Sequence, residues 1–298
     1  MKRSTSTSQS WLMDNNHKRG VVYIATGNQF VEEAKISADS VKTVMPDVSI
    51  TLFTDQETDA EIFDNIIPIS DPRHDFGDQV YHLDRTPYER TIFLDSDIYL
   101  GESIEDVFDV LDEFDIAASQ DTRNYSSTRI DFEGIEKIPD CFSEYNSGVV
   151  AFRKNSATRD FFEIWKEAYE EVVDRGQIHN QAAFRYALYN SDTRIATLPR
   201  EYNCLFRNPD QVYGKVKVFH GRLIDIETPG AGMYADVREA VEKINSRTDL
   251  RLYYRVGEEI KLVDPSIFEQ LQASISNRGI METLRRGPGF VWRRIFKS

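Results

Sequence analysis

Short apolar runs alternate with longer segments of helical periodicity through about residue 190, and this alternation constrains the fold more than any other feature. The first run, Gly20 to Thr26, is followed by apolar residues at helical spacing from Val31 to Met45. A second strand-like run covers Val48 to Asp55. Strands that alternate with helices favour an α/β fold with a mostly parallel central sheet. The chain is therefore predicted to contain one such domain.

Later segments continue the pattern. A long helix is predicted from Ser156 to Asp174, with Ser156 as its N-cap and Gly176 just past its end. A shorter helix is predicted over 179–189. Further strands are predicted at 65–70, 90–94, 115–121, 145–153, 193–199 and 215–221.

Charge and cysteine content exclude several function classes. The 298 residues include 50 acids and 36 bases, so the formal net charge of −14 argues against a general nucleic-acid binder. The two cysteines, Cys141 and Cys204, are isolated, which is typical of small hydrophobic side chains rather than of a zinc site or a disulfide framework.

No targeting or membrane-spanning segment is predicted. The first residues are polar and lack the apolar region of a secretory signal. No window approaches the roughly 18 apolar residues that a spanning helix needs. We therefore expect a cytoplasmic protein.

Polar residues follow the predicted strands where each strand ends. They are Thr26 with Gly27, Asp55, the Asp95-Ser96-Asp97 triplet, and His220 with Gly221. Ligands of open α/β sheets bind outside the carboxyl ends of the strands. These residues are therefore predicted to converge on one edge of the sheet.

The Asp95-Ser96-Asp97 triplet interrupts an apolar run, because Ile92 to Leu94 precede it and Ile98 to Leu100 follow it. Two nearby carboxylates repel each other unless a cation neutralises them, and Mg²⁺ or Mn²⁺ takes oxygen ligands shared with phosphates. In the alternative, Asp95 caps the strand and Asp97 faces solvent, although exposed pairs seldom lie inside apolar runs.

A phosphatase of the haloacid-dehalogenase type is a rival interpretation, because it also places Asp-X-Asp after an apolar strand, with the first aspartate as nucleophile. That motif normally continues with small residues and lies near the start of its domain. Here Ile98 and Tyr99 follow the triplet, and several elements precede it. The rival is therefore less favoured.

Several ordered motifs over about residues 20–222 carry a resemblance to a known family: YIATG, TLFTD, YERTIFLDSDIYL, EYNSGVVAFRKN, HNQAAFRYAL and LPREYNC. Together they resemble glycosyltransferases of the A-type fold, nucleotide-diphospho-sugar transferases related to the glycogenin-like and galactosyltransferase-like group. The resemblance implies a Rossmann-like nucleotide-sugar-binding domain over 19–230. A flexible lead over 1–18 would precede it, and a C-terminal helical extension over 231–298 would follow.

The resemblance assigns roles around a divalent metal ion, Mn²⁺ or Mg²⁺. Asp95 and Asp97 would hold the ion and, through it, the diphosphate of the donor. His220 would supply a further ligand; the alternative is a partly buried imidazole satisfied by a hydrogen bond. Ser96 is counted with the donor-binding residues, and Arg222 is a candidate phosphate contact.

The resemblance also assigns residues to the nucleotide. Thr26 and Gly27 would border it, and Asp55 would meet the base or the ribose. Asp55 could equally be a strand-end cap without a function.

Residues near the transferred sugar are implied as well. Asn146, Ser147 and Gly148 match an Asn-X-Gly turn that lines the sugar pocket; the alternative for Asn146 is a turn residue before a strand. Gln181 matches a glutamine at the head of a helix. The usual residue before that glutamine is aspartate, whereas this chain has Asn180.

Two further assignments stay open. The basic residue often found upstream of the metal-binding strand is Arg85 or Arg90. An inverting enzyme would need a carboxylate base, for which the candidates are Asp121, Glu144 and Glu201.

The implied reaction is transfer of a sugar from a nucleoside-diphosphate donor, a UDP-sugar, to an acceptor, with retention of configuration. A catalytically silent nucleotide-sugar-binding protein is the alternative from another functional class, and Asn180 is its only support.

The last residues differ in composition from the rest of the acidic chain. Residues 278–298 carry six basic residues against one acid, and residues 290–296 interleave them with Phe, Val, Trp and Ile. Such a segment is typical of contact with a membrane surface. Docking on the acidic domain and a disordered tail are the alternatives. Membrane contact through 285–298 would suit a lipid-linked or glycan acceptor at the inner membrane face, and a protein acceptor is also open.

Overall fold

The computed structural model describes residues 18–58, 60–121, 134–205, 209–221, 241–256 and 259–263, together with 272, 275, 276 and 279–281. The strands are β1 (Arg19–Ile24), β2 (Ser49–Thr54), β3 (Asn65–Pro68), β4 (Arg90–Leu94), β5 (Ile98–Leu100), β6 (Ile116–Gln120), β7 (Tyr145–Arg153), β8 (Ile195–Leu198), β9 (Cys204–Leu205), β10 (Asp210–Val212), β11 (Val218–His220), β12 (Arg251–Val256) and β13 (Glu259–Val263). The helices are α1 (Asn28–Val44), α2 (Gly77–His82), α3 (Asp106–Val110), α4 (Ser156–Asp174) and α5 (Gln181–Asn190).

A seven-stranded sheet in the order β3-β2-β1-β4-β7-β6-β8 forms the centre of the fold. Its strand pairs are parallel except those of β7, which runs antiparallel to both β4 and β6. This arrangement confirms the predicted mostly parallel α/β sheet. Because β7 runs the opposite way, its first residues arrive at the edge where β1, β2 and β4 end.

Helices cover both faces of this sheet, which explains why its central strands are apolar throughout. On one face, the buried side chains of α1 pack against β1, β2 and β4. On the other face, aromatic residues of α4 and α5 pack together, with Phe161 and Trp165 against Phe184. The sheet is therefore packed on both faces, and this packing fixes the positions of the strand ends from which the loops at its carboxyl edge start.

Helix α4 has the predicted bounds but a different cap. The side chain of Asn155, not Ser156, accepts a hydrogen bond from the backbone N–H of Thr158 at 2.9 Å. The hydroxyl of Thr158 in turn accepts from the Asn155 N–H at 3.0 Å. This reciprocal pair satisfies two donors at the helix start, so the capping residue is Asn155, one position before the predicted Ser156.

The C-terminal part differs from the predicted helical extension. Residues 241–245 are helical, but β12 and β13 form an antiparallel sheet with β10. Leu252 is exposed whereas Tyr253 is buried, which is the period-two alternation of a strand. The tail 278–298 and its composition-based membrane prediction lie almost wholly outside the described residues, as does the lead 1–17. Among described residues, no helix has both the length and the apolar character needed to cross a membrane.

The two cysteines have different surroundings. Cys204 is buried, and its burial raises the pKa of the thiol to about 12, so it behaves as the predicted small hydrophobe. Cys141 is exposed, contrary to the prediction that both cysteines are small hydrophobic side chains.

Candidate active site

The ends of β1 and β2 meet at the carboxyl edge of the sheet. The carboxylate of Asp55 accepts a hydrogen bond from the Gly27 N–H at 2.8 Å, so Asp55 does more than end its strand. The Thr26 hydroxyl donates to the buried Asp78 at 2.6 Å. Thr26, Gly27 and Asp55 therefore form one corner, as their positions after two neighbouring strands predict.

His74 also borders this corner and was missed by sequence reasoning. Its Nε2 lies 3.8 Å from Asp55 Oδ2, and its backbone has a φ of 56°, which is uncommon outside glycine. Asp78 accepts the N–H groups of Arg73 and His74 at 2.8 and 2.9 Å and so holds this conformation. Asp78 lies only four residues after His74, but its residue type alone does not reveal that its carboxylate accepts these N–H groups.

A second cluster forms where β4 ends. One side-chain atom each from Asp95, Asp97 and His220 lie within 4.8 Å of one another. His220 Nε2 is 3.6 Å from Asp95 Oδ2 and 3.3 Å from Asp97 Oδ1. These atoms are close enough to coordinate one cation, and a buried imidazole between both carboxylates speaks against the solvent-facing alternative for Asp97 and against the phosphatase interpretation.

Strand register explains how His220 reaches the two aspartates. Strand β5 follows Asp97 directly and pairs antiparallel with β11, which places His220 opposite Ile98. The Gly221 N–H also donates to the Asp97 carbonyl at 3.0 Å. The Ser96 hydroxyl donates to the buried Glu33 on α1, which ties the turn between the two aspartates to that helix.

A chain of side-chain amides sets the tautomer of His220. Asn146 Oδ1 accepts the Gly148 N–H at 3.0 Å and the Asn203 amide at 2.9 Å, which leaves Asn203 Oδ1 as the acceptor facing His220 Nδ1 at 2.8 Å. Nδ1 of His220 therefore carries a proton, which leaves Nε2 as the ring nitrogen that faces the two aspartates and can bind a cation. Asn203 lies in the LPREYNC motif, but the residues around it in the sequence do not predict its hydrogen bond to His220.

Gly148 lies directly against the cluster. A Cβ at this position would be 2.4 Å from His220 Cε1 and 2.5 Å from Asp95 Oδ2, so a side chain does not fit. The Asp95 N–H donates to the Gly148 carbonyl at 2.8 Å. The start of β7 and the end of β4 are therefore joined at the aspartates, and only glycine allows so close an approach.

A third group lies beside β7. Asp121 is fully buried, and its Oδ2 accepts from the Gln181 amide at 2.8 Å and from the Asn146 amide at 3.4 Å. The Asp121 N–H donates to the Glu144 carbonyl at 2.8 Å. Glu201, by contrast, accepts the Tyr213 N–H at the surface. Of the three carboxylates considered as a base, Asp121 is thus the one whose side chain contacts both Asn146 and Gln181.

Neither proposed upstream basic residue contacts the site. Arg85 lies over the Phe53 ring and contacts His82, and Arg90 forms an ion pair with Asp112. The upstream side chain that does reach the site is the uncharged Gln79, whose amide donates to the Ser147 carbonyl at 2.7 Å. Arg222 lies outside the described residues.

Comparisons with known proteins concern the fold and the segment that holds this cluster. Residues 90–222 match the model of the family described as nucleotide-diphospho-sugar transferase. The galactosyltransferase LgtC, solved with donor and acceptor sugar analogues, has a TM-score of 0.53 at 17% identity, covering 74% of this chain and 95% of that chain. An active-site variant of LgtC has a TM-score of 0.50 at 14% identity, with the same coverage. No curated protein sequence matches the chain significantly.

A further structure is also similar to this chain. It is the glycosyltransferase GlyE of Streptococcus pneumoniae TIGR4, with a TM-score of 0.47 at 17% identity, covering 64% of this chain and 47% of that chain. At such identities the likeness to LgtC concerns the fold alone, while the family match covers the segment that holds Asp95, Asp97, Gln181 and His220. The segment 90–222 therefore matches the nucleotide-diphospho-sugar transferase family over somewhat less than half of the chain, and the fold of the chain is similar to that of the galactosyltransferase LgtC.

Proposed function

We propose that the protein transfers a sugar from a UDP-sugar donor to an acceptor hydroxyl with the help of a bound divalent cation. The observation that carries the proposal is the cluster of Asp95, Asp97 and His220, in which the ring nitrogen Nε2 faces two carboxylates and Nδ1 is held by Asn203. The cluster lies at the end of the central strand β4, inside the segment that matches the family.

The donor set fits a divalent cation. Two carboxylates and one neutral imidazole offer two oxygens and one nitrogen, and the nitrogen favours Mn²⁺ over Mg²⁺, which prefers oxygen ligands alone. When bound, the cation would neutralise the donor diphosphate and stabilise the charge that develops as the sugar leaves. A protein of net charge −14 can then bind an anionic donor.

The chain's own residues would hold the remainder of the donor. Thr26, Gly27 and Asp55 border the nucleotide in this proposal. Asn146 and Gln181 lie on the sugar side. LgtC, which has this fold, has been crystallised with donor and acceptor sugar analogues, and we propose that this chain likewise binds a nucleotide sugar and a sugar acceptor.

The surroundings of Asp121 support a retaining reaction. Its Oδ2 accepts from two side-chain amides and the residue is fully buried, which suits a positioning group better than a general base that receives a proton. Proton NMR of the transferred sugar would test this: an anomeric configuration opposite to that of the donor contradicts retention.

The function is tested with a panel of UDP- and GDP-sugars. We expect nucleotide release from a UDP-sugar that needs added Mn²⁺ and stops on chelation with EDTA. Binding of UDP with Mn²⁺ but without turnover across the panel would favour the silent binding protein, for which Asn180 is the supporting departure. Absence of both binding and turnover would contradict both.

Asn203 is predicted to set the affinity of the site for Mn²⁺. In Asn203→Leu the acceptor for His220 Nδ1 is lost, so the ring can rotate or change tautomer, and Mn²⁺ affinity should fall by about 10- to 100-fold. Isothermal titration with MnCl₂ measures this. Asn245→Leu is the control, because Asn245 bonds both backbone groups of Val216 away from the cluster. Equal affinities in the two variants would argue against His220 as a ligand.

We propose that the basic aromatic segment 285–298 brings the protein to an anionic membrane surface, in line with its composition. The full chain should co-sediment with phosphatidylglycerol vesicles at low salt, and a chain truncated before residue 285 should not. Vesicles of phosphatidylcholine alone serve as the control. Equal sedimentation of the two chains would refute membrane contact through this segment.

A further inference from the structure

Three uncharged polar side chains form a buried cluster beside the Asn146–Gly148 turn. We call Gln79, Ser147 and Asn180 the amide cluster; each is at most 6% exposed. The Gln79 amide donates to the Ser147 carbonyl at 2.7 Å, the Asn180 amide donates to Gln79 Oε1 at 2.7 Å, and the Ser147 hydroxyl donates to Asn180 Oδ1 at 3.0 Å. The three residues come from α2, from β7 and from the residue that precedes α5.

Backbone carbonyls dictate how both amides are oriented. The Ser147 carbonyl can only accept, so Gln79 must present its NH₂ there and its oxygen towards Asn180. Asn180 must then be a donor, and its NH₂ also faces the Phe76 carbonyl at 3.5 Å. An aspartate at position 180 would place a buried carboxylate against two acceptor oxygens. The glutamine at position 79 therefore requires an amide at position 180.

The cluster is linked to the candidate metal site through the backbone. Ser147 lies between Asn146, which orients Asn203, and Gly148, whose carbonyl accepts the Asp95 N–H. Asn180 directly precedes Gln181, which contacts Asp121. A shift of the amide cluster would therefore displace both the sugar-side residues and the loop that holds Asp95.

We propose that Gln79 and Asn180 are a matched, uncharged positioning pair that holds the Asn146–Gly148 turn and Gln181 in place for sugar transfer. The pair explains two departures from the resembled family together: asparagine stands where aspartate is usual, and neither upstream arginine reaches the site. This inference rests on the proposed function, because it names positioning residues for that reaction.

A double-mutant cycle tests the pair in the full chain, with Asn180→Asp, Gln79→Lys and the double variant. In the double variant, the introduced ammonium has three donors to share between the Ser147 carbonyl and the introduced carboxylate. Asn190→Asp is the matched control, because it adds the same charge at the exposed far end of α5. The measurements are kcat and KM for hydrolysis of the UDP-sugar that the wild type uses, the Kd for UDP with Mn²⁺, and Tm.

The expected result is non-additive. Asn180→Asp should lower kcat by about tenfold or more, since it leaves buried acceptors facing each other, while UDP affinity changes by less than about threefold. The double variant should recover most of the kcat lost in Asn180→Asp, and Asn190→Asp should match the wild type. Equal kcat in Asn180→Asp and the wild type, or losses that simply multiply in the double variant, would overturn the pair.

The experiment also distinguishes a failure of the proposed pair from misfolding of a variant and from a failure of the proposed function. If Asn180→Asp does not fold, the double variant is still expected to fold and to turn over donor, and its failure to do so overturns the pair. If the wild type turns over no donor, the proposed function fails instead. The same cycle is then measured by Mn²⁺ affinity and Tm, where non-additivity supports the pair and additivity overturns it.

Discussion

Replacing Asp97 with alanine should lower Mn²⁺-dependent turnover by a factor of about 10² to 10³, because the charge that develops on the leaving diphosphate then loses its stabilising cation. Asp97 Oδ1 is the carboxylate oxygen nearest to His220 Nε2, at 3.3 Å, and its side chain is only 9% exposed. The remaining pair, Asp95 and His220, would offer too few ligands for tight binding. Initial rates at saturating Mn²⁺ measure the effect.

In the absence of metal, Asp97→Ala should not lower the thermal stability of the protein, although it lowers the turnover. Without a cation, Asp95 and Asp97 are neighbouring like charges, so removing one of them relieves repulsion. We expect Tm of Asp97→Ala in EDTA to equal or exceed that of the wild type. Added Mn²⁺ should raise Tm of the wild type, because a ligand that binds only the native state stabilises it, and should leave the variant unchanged.

Asp109→Ala is the control for this pair of measurements, since Asp109 is an exposed aspartate of α3. It should keep both the turnover and the Mn²⁺-induced rise in Tm. If Asp97→Ala behaved like Asp109→Ala in both assays, the assignment of Asp97 as a metal ligand would be wrong.

Gly148→Ala should abolish the Mn²⁺ response and also destabilise the fold. The added methyl group would lie 2.4 Å from His220 Cε1 and 2.5 Å from Asp95 Oδ2, so both side chains must move apart. Overpacking of this kind costs about 1–3 kcal/mol in the free energy of unfolding. Urea denaturation measures the stability loss, and titration with MnCl₂ measures the metal affinity.

Gly214→Ala separates the two effects of that substitution. Gly214 has open space around its Cα but a φ of 77°, so alanine there is strained by roughly 1 kcal/mol without touching the cluster. It should lose stability and keep its Mn²⁺ affinity. A Gly148→Ala protein that binds Mn²⁺ as tightly as Gly214→Ala would show that the cluster is not where the metal binds.

Local patterns in the sequence were enough to predict most secondary-structure elements. Helix α4 was predicted with its bounds, and β4 and β7 were predicted residue for residue. The helical and strand periods are local properties, so a single stretch of chain carries them. Asp95 and Asp97 could also be predicted from a single stretch of chain, because the end of β4 and both carboxylates lie within a few residues of one another.

The secondary-structure predictions were wrong where the local sequence was compatible with two structures. Ser156 and Asn155 are both good helix caps, and the side chain that reaches the third helical N–H is that of Asn155. Residues 251–263 lie in the segment 231–298 that was expected to be helical. Strands β12 and β13 pair with each other locally, but the strand β10 that completes their sheet lies about 40 residues earlier in the chain.

The sequence by itself therefore determined the α/β class, the strand that ends on Asp95 and Asp97, and, through ordered motifs, His220 as their partner. Only the tertiary structure decided how His220 is oriented, why position 148 must be glycine, and that Gln79 is the upstream residue that meets Asn180. These contacts join segments that are 17 to 101 residues apart along the chain. They depend on strand direction and register, above all on the antiparallel course of β7, and those are properties of the whole sheet rather than of any one segment.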